Sequence, residues 1–220
     1  NASALLKLKN LPMTKTLSSD LTLPRMIHSN QTSLTPKINP RSEMKTELIF
    51  DLESTGLLRR GSTIHCIVSR DMNDADEPIV FDHQPERAII QGIKTLEKAD
   101  ALIGHNIIKF DVPLIKEQFP AFNFEGELID TLVLSRIYYP NIIERDYERR
   151  PAGMPQKLYG RHSLEAWGYR LKCNKGDFGK HEGCWDTYTP EMLSYCITDT
   201  LVTLKLYQLM LRRMETYASA

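Results

Sequence analysis

Two acids, Asp51 and Glu53, stand inside the apolar run LIFDLES (48–54) with one leucine between them and no basic residue in the run. In a strand, successive side chains point to opposite faces, so the two acids share one face while Leu48, Phe50 and Leu52 take the other. Two carboxylates roughly 4 Å apart repel by on the order of 4 kcal/mol at an effective dielectric near 20. Such a pair needs protons, a basic partner or a metal ion. The chain is therefore restricted to folds that bring a neutralising group to that face.

Composition narrows the candidates. With 220 residues, 41% of them apolar, the chain can bury one sizeable core. Its 28 basic and 28 acidic residues cancel, so no global field draws it to nucleic acid or to a membrane, and contact with a polyanion must be local. Four cysteines without a C-x-x-C pair point to a reducing compartment, hence the cytoplasm. No apolar run approaches the ~18 residues of a membrane span. Residues 1–43 hold eleven Ser/Thr, six Lys/Arg and two acids without sustained periodicity. They read as a basic N-terminal arm outside the core, either flexible or an organelle transit peptide, since both are acid-poor and Ser-rich. The folded domain is expected over 44–220.

Three extended runs, 46–53, 63–70 and 78–83, follow one another across short turn-like links, LLRRGS and DMNDADE, which favours antiparallel neighbours. The period then changes. PERAIIQGIKTLEKA (85–99) reads as an amphipathic helix with proline at its start, ALIGHN (101–106) as a buried strand and FDVPLIKEQF (110–119) as a short helix. ELID (127–130) is a further strand leading into TLVLSRIYY. The whole is an α/β fold with a mixed sheet flanked by helices. The polar stretch 141–161 reads as a long loop, 162–172 as a helix and 174–189 as another loop. A long helix is expected from Pro190 to about Tyr217, with Thr189 as its N-cap.

On that last helix, Met192, Tyr195, Cys196, Asp199, Val202, Leu206 and Leu209 recur every three or four residues and form one stripe. Asp199 thus lies inside the apolar face, where a carboxylate is rare unless paired or metal-bound. Asp111 follows a buried strand and opens a helix, so a capping role competes with a functional one. Cys173, His181 and Cys184 have the spacing C-x7-H-x2-C, which lacks a fourth ligand and matches no standard zinc site.

The order of these signals is more specific than any of them. IFDLESTGLL, GHNIIKFDVPLI, LIDTLVLSRI, HSLEAWGYRL and YCITDTLVTLKL together resemble the proofreading 3′→5′ exonuclease domain of family A DNA polymerases, nearest to those of the T-odd bacteriophages. The resemblance runs from residue 46 to about 211. It implies a ribonuclease H-like fold in which three antiparallel strands precede parallel ones, and a four-carboxylate exonuclease of the tyrosine subclass. By resemblance, Asp51, Glu53, Asp111 and Asp199 ligate two divalent cations, Mg2+ with Mn2+ as a substitute, which suits an all-oxygen donor set.

Tyr195 then positions the attacking water; a phenol with a pKa of about 10 is a hydrogen-bond partner and not a strong base at neutral pH. The sister subclass has histidine at the place of Ser194. Glu53 would also meet the terminal 3′ hydroxyl, with Thr55 beside it. Leu57 would wedge against the terminal bases, or simply pack, and Asn106 would lie near the last nucleotide, or cap a helix. Asp130 reads as a supporting or strand-end residue, and His105, His162 and Trp167 as packing around the site. Aromatic and basic residues of the 145–161 stretch could track a single strand, or be solvated.

The implied activity is hydrolysis of the terminal phosphodiester of single-stranded or frayed DNA 3′ ends, with a polymerase domain or a separate polymerase chain as partner and a bacterial or phage-infected cytoplasm as location. RNA 3′ processing by a stand-alone enzyme and a nucleic-acid-binding module without turnover are the alternatives.

Overall fold

The computed structural model describes residues 45–56, 61–173, 176 and 178–219. The basic arm and Leu57 lie outside the described residues. β1 (Glu47–Ser54), β2 (Ile64–Asp71) and β3 (Asp74–Phe81) form an antiparallel meander. β4 (Ala101–Gly104) adds parallel to β1, and β5 (Glu127–Asp130) parallel to β4. The five strands run in the order β3-β2-β1-β4-β5. This is the mixed sheet expected, with β1 at its centre.

The link between β2 and β3 is shorter than its composition implies. DMNDADE reads as a turn, yet only Met72 and Asn73 separate the strands. The Asp71 carboxylate accepts from both the backbone and side-chain N–H of Asn73, which closes the hairpin tightly and leaves the remaining acids free to extend along an edge strand.

Among the described residues, six α-helices accompany the sheet. α1 (Ile89–Glu97), preceded by a single 3-10 turn at Pro85–Arg87, and α2 (Asp111–Gln118) pack on one face with Leu48, Phe50, Leu52, Ile67 and Leu102. α3 (Thr131–Tyr138) follows β5 directly, because Asp130 accepts from the Leu132 N–H and caps it. α4 (Ile142–Arg149) occupies part of the stretch read as loop. Its inward positions are Ile142 and Asp146, so the buried stripe contains an acid and the helical period is hidden from a hydrophobicity reading. The Asp146 carboxylate is held by a two-toothed contact from Arg170 of α5 (Leu164–Arg170), at 2.9 and 2.7 Å. Ser163 caps α5.

α6 (Pro190–Ala218) crosses the other face of the sheet, against Ile49 and Ile103. Thr189 accepts from the Met192 N–H at 3.1 Å, as a helix beginning with proline needs. The stripe is buried at Met192, Cys196, Asp199, Val202 and Leu206. Arg70 on β2, also buried, donates to the Thr200 hydroxyl at 2.9 Å and fixes the height of α6 against the sheet. Among the described residues no helix is long and apolar enough to cross a membrane.

Candidate active site

The alternation of β1 sends Leu48, Phe50 and Leu52 into the core under α1 and α2, and turns Ile49, Asp51 and Glu53 toward α6. Cross-strand pairing puts Cys66 opposite Glu53 and Val68 opposite Asp51 on that face. α6 brings Cys196 down between them: its sulfur lies 3.6 Å from Oδ2 of Asp51 and 3.6 Å from the Asp51 carbonyl oxygen. One turn later, Asp199 lines a cavity of about 440 Å3 together with Asp51, His105 and Asn106.

Asp111 arrives from the turn after β4. Its carboxylate accepts from its own N–H and from the N–H of Leu52, the residue between the two strand acids. It is 3% exposed, and burial pushes its pKa up to about 7; those two N–H bonds oppose the rise, while the Asp130 and Asp199 carboxylates add to it. Positive charge supplied nearby would favour the ionised form of a carboxyl so placed. Asp51 and Glu53 from β1, Asp111 from the turn after β4 and Asp199 from α6 thus come from three distant stretches of chain, with Asp51 and Asp199 on one cavity and the Asp199 charge acting on Asp111.

Asp130 holds the turn that carries two cavity residues. It accepts from the backbone N–H of Asn106 at 2.9 Å and of Ile108 at 3.3 Å as well as capping α3. Asn106 sits at φ 70°, a left-handed conformation that asparagine tolerates, and its carbonyl accepts from the N–H groups of Lys109 and Phe110. A Cβ at Gly104 would strike the Ile107 side chain and the Phe50 carbonyl, so the turn can close only on glycine. His105 bonds Thr131 and His162 bonds Ser135, each through Nδ1 at 2.9 and 3.0 Å.

Tyr195 packs its ring against Trp185 and Phe178, at centroid distances of 5.8 and 5.6 Å. Trp185, anchored by its carbonyl to His65 Nε2 at 3.1 Å, borders a second cavity of about 290 Å3 with Glu53, Ser54 and Phe110. Thr55 is exposed at the end of β1, its hydroxyl accepting from the Thr63 N–H.

Two arginines are brought to the site, of which the sequence singles out only one. Arg136 of α3 and Arg161 line the larger cavity beside Asp51 and Asp199, next to His162, whose pKa is lowered by burial and by Arg170 and Arg136. Arg161 lies in the basic stretch noted above; Arg136 becomes visible only when β5 is laid beside β4. Cys196 is the other residue missed: the stripe marks it as core, and nothing in its spacing tells a packed thiol from one facing acids. Burial raises its pKa well above the ordinary thiol value, and Cys66, Asp51 and Glu53 raise it further. Cys173, His181 and Cys184 do not form a cluster; among the described residues the set close enough to hold an ion is Asp51, Glu53 and Cys196.

Comparison with known proteins bears on the fold and the relatives of the chain. Residues 48–153 match the model of the RNase H superfamily. The DNA-directed DNA polymerases of Enterobacteria phage T3 and Escherichia phage T7 are each 31% identical, over 188 and 186 residues. The match covers 74% of this chain and 26% of either polymerase, so the chain spans about a quarter of the length of these relatives. The fold is also that of Brucella melitensis NrnC, solved bound to pGG and with bound Mg2+: the TM-scores are 0.54 and 0.53, at 16% identity in both, covering 80% of this chain and 76% of NrnC.

Proposed function

We propose, from the match of residues 48–153 to the RNase H superfamily and the likeness to the phage polymerases, that the chain is a metal-dependent 3′→5′ exodeoxyribonuclease acting on single-stranded or frayed ends, as the proofreading activity of a DNA polymerase. The observation that carries this reading is the position of Asp111. Its carboxylate meets the N–H of Leu52, the residue that separates Asp51 from Glu53 along β1, and lies under the field of Asp199, so that acids of distant stretches are drawn to one locality.

The donor set fits hard cations, since its carboxylate oxygens are the ligands that Mg2+ and Mn2+ prefer. Two such ions held by Asp51, Glu53, Asp111 and Asp199 would lower the pKa of water and neutralise the phosphodiester. The chain's own groups do the rest. The Tyr195 phenol, its ring fixed by Trp185 and Phe178, offers a hydrogen bond that orients the water. Arg136 and Arg161 supply positive charge along the cavity for strand phosphates. Glu53 and Thr55 face the terminal 3′ hydroxyl, and Asn106 lies on the cavity wall beside the last nucleotide. Leu57, proposed as a wedge, lies outside the described residues. Polymerase partnership follows from the phage relatives and is part of the proposal.

The test is digestion of 5′-labelled single-stranded DNA with and without Mg2+, beside an RNA of the same sequence. The expected outcome is a Mg2+-dependent ladder shortening from the 3′ end, faster on DNA, and abolished in Asp51→Ala with the circular dichroism spectrum unchanged. A ladder of the opposite polarity, or digestion by Asp51→Ala at the parental rate, overturns the mechanism. Strong preference for RNA replaces proofreading with RNA 3′ processing.

A further inference from the structure

Nothing in the nuclease chemistry above calls for sulfur, yet the Cys196 thiol adjoins two of its carboxylates. Cys196 is fully buried, and ligand atoms of Asp51, Glu53 and Cys196 all lie within 4.8 Å of one another. A second thiol, Cys66, hydrogen-bonds to Cys196 and sits opposite Glu53 in the strand register. The set is therefore mixed, hard oxygen on one side and soft sulfur on the other.

The spacing is informative. Zinc binds sulfur at about 2.3 Å and carboxylate oxygen at about 2.0 Å in a tetrahedron, which separates a sulfur and an oxygen ligand by about 3.5 Å. The Cys196 sulfur and Asp51 Oδ2 are 3.6 Å apart before any ion arrives. An octahedral Mg2+ holds oxygen ligands at about 2.1 Å, so neighbouring ligands lie only about 3 Å apart, and it has little affinity for sulfur. The preformed separation thus suits a borderline or soft tetrahedral ion, and the hard ion would use the oxygens alone.

We propose that Asp51, Glu53 and Cys196 form a thiophilic cation site that takes Zn2+ or Cd2+ with the Cys196 sulfur as a ligand. As the sulfur–metal bond forms, the thiol proton passes to solvent and no electron is transferred. An ion held in this way engages Asp51 and Glu53 and so competes with Mg2+. Zinc is then an inhibitor of the nuclease and not a substitute for magnesium. Only that last consequence rests on the proposed function; the site itself rests on the three side chains.

The experiment is titration of the metal-free full chain with Co2+ and Cd2+, following thiolate-to-metal charge-transfer absorption. A band saturating at one equivalent is expected, lost in Cys196→Ser and retained in the Cys173→Ser, Cys184→Ser double variant. The 113Cd resonance of the unsubstituted chain gives a reading that needs no variant, because one sulfur ligand moves it well downfield of an all-oxygen site. Zn2+ should bind Cys196→Ser at least about tenfold more weakly, in competition with a chromophoric chelator. An all-oxygen 113Cd shift, absence of the band, or a band that survives Cys196→Ser overturns the site. Charge transfer in a protein that digests no DNA would leave the site standing and remove the nuclease reading; Mg2+-dependent digestion with an all-oxygen shift would do the reverse.

Discussion

Asp146 and Asp111 are both buried aspartates, 2% and 3% exposed, in two regions that treat the same charge in opposite ways. Burial pushes the Asp146 carboxyl up, but the Arg170 fork and the Gly160 N–H outweigh it and hold its pKa below the usual range. Around Asp111, burial is reinforced by Asp130 and Asp199, and the pKa is pushed up to about 7. One region contains its own countercharge and is complete as folded. The other gathers like charges and, on the proposed reading, is completed by cations from outside. If the proposed function holds, that contrast separates an acid kept for the fold from acids kept for chemistry.

The largest expected effect is at the second region. Asp111→Asn removes a charge the fold tolerates poorly, so it should cut Mg2+-dependent digestion by roughly 100-fold or more without lowering the melting temperature in chelator. The sign of the pH dependence follows from the raised pKa. A carboxyl whose folded value lies above its unfolded one destabilises the folded state once it must ionise, so parental stability is fully present below the unfolded value of about 4 and is lost as pH rises through about 7. The asparagine variant should therefore gain on the parent between those limits. Thermal melts in chelator across pH 4 to 8 check this, and a variant less stable than its parent at pH 8 would break the contrast.

Asp146→Ala should do the opposite. It leaves Arg170 buried without its partner, at a cost of about 3 kcal/mol, or on the order of 10 °C in melting temperature. Turnover per folded molecule should remain near parental. Because the folded pKa of Asp146 is depressed, its contribution is present above the ordinary carboxylate range and is lost as pH falls through the lowered value, so the gap between variant and parent should narrow on acidification.

The same contrast accounts for what could be read from residues alone. Asp51 and Glu53 were legible because a period of two puts both on one face of a strand that is otherwise apolar, and Asp199 because it interrupts an apolar helical stripe. The mixed sheet was legible from short links followed by a change of period, and the resemblance to phage polymerase exonuclease domains agrees with the matches to the T3 and T7 enzymes. α4 was not legible, since its buried stripe is built on Asp146 and its partner Arg170 lies 24 residues away. Arg136 and Cys196 were invisible for a related reason: an exposed helical arginine and a core thiol look ordinary until the sheet order places them beside other chains of atoms. Local pattern reports a charge that is out of place, not the distant group that answers it.

Asp130 lies between the two cases and has a smaller expected effect. Its countercharge is neither a cation nor an ion from solution but three backbone N–H groups, of Asn106, Ile108 and Leu132. Asp130→Asn keeps the shape and one acceptor oxygen, so it should cost about 1 to 2 kcal/mol, the range of hydrogen bonds to a charged group partly replaced by neutral ones. It also loosens the turn that presents His105 and Asn106 to the cavity, and it removes a negative charge that raises the Asp111 pKa. Digestion should then fall through a weaker KM for the strand more than through kcat, while half-saturation by Mg2+ changes by less than about threefold. If Asp130→Asn instead abolished Mg2+ dependence as fully as Asp111→Asn, Asp130 would belong with the acids that await a cation, and the division drawn between the two regions would have to be moved to include it.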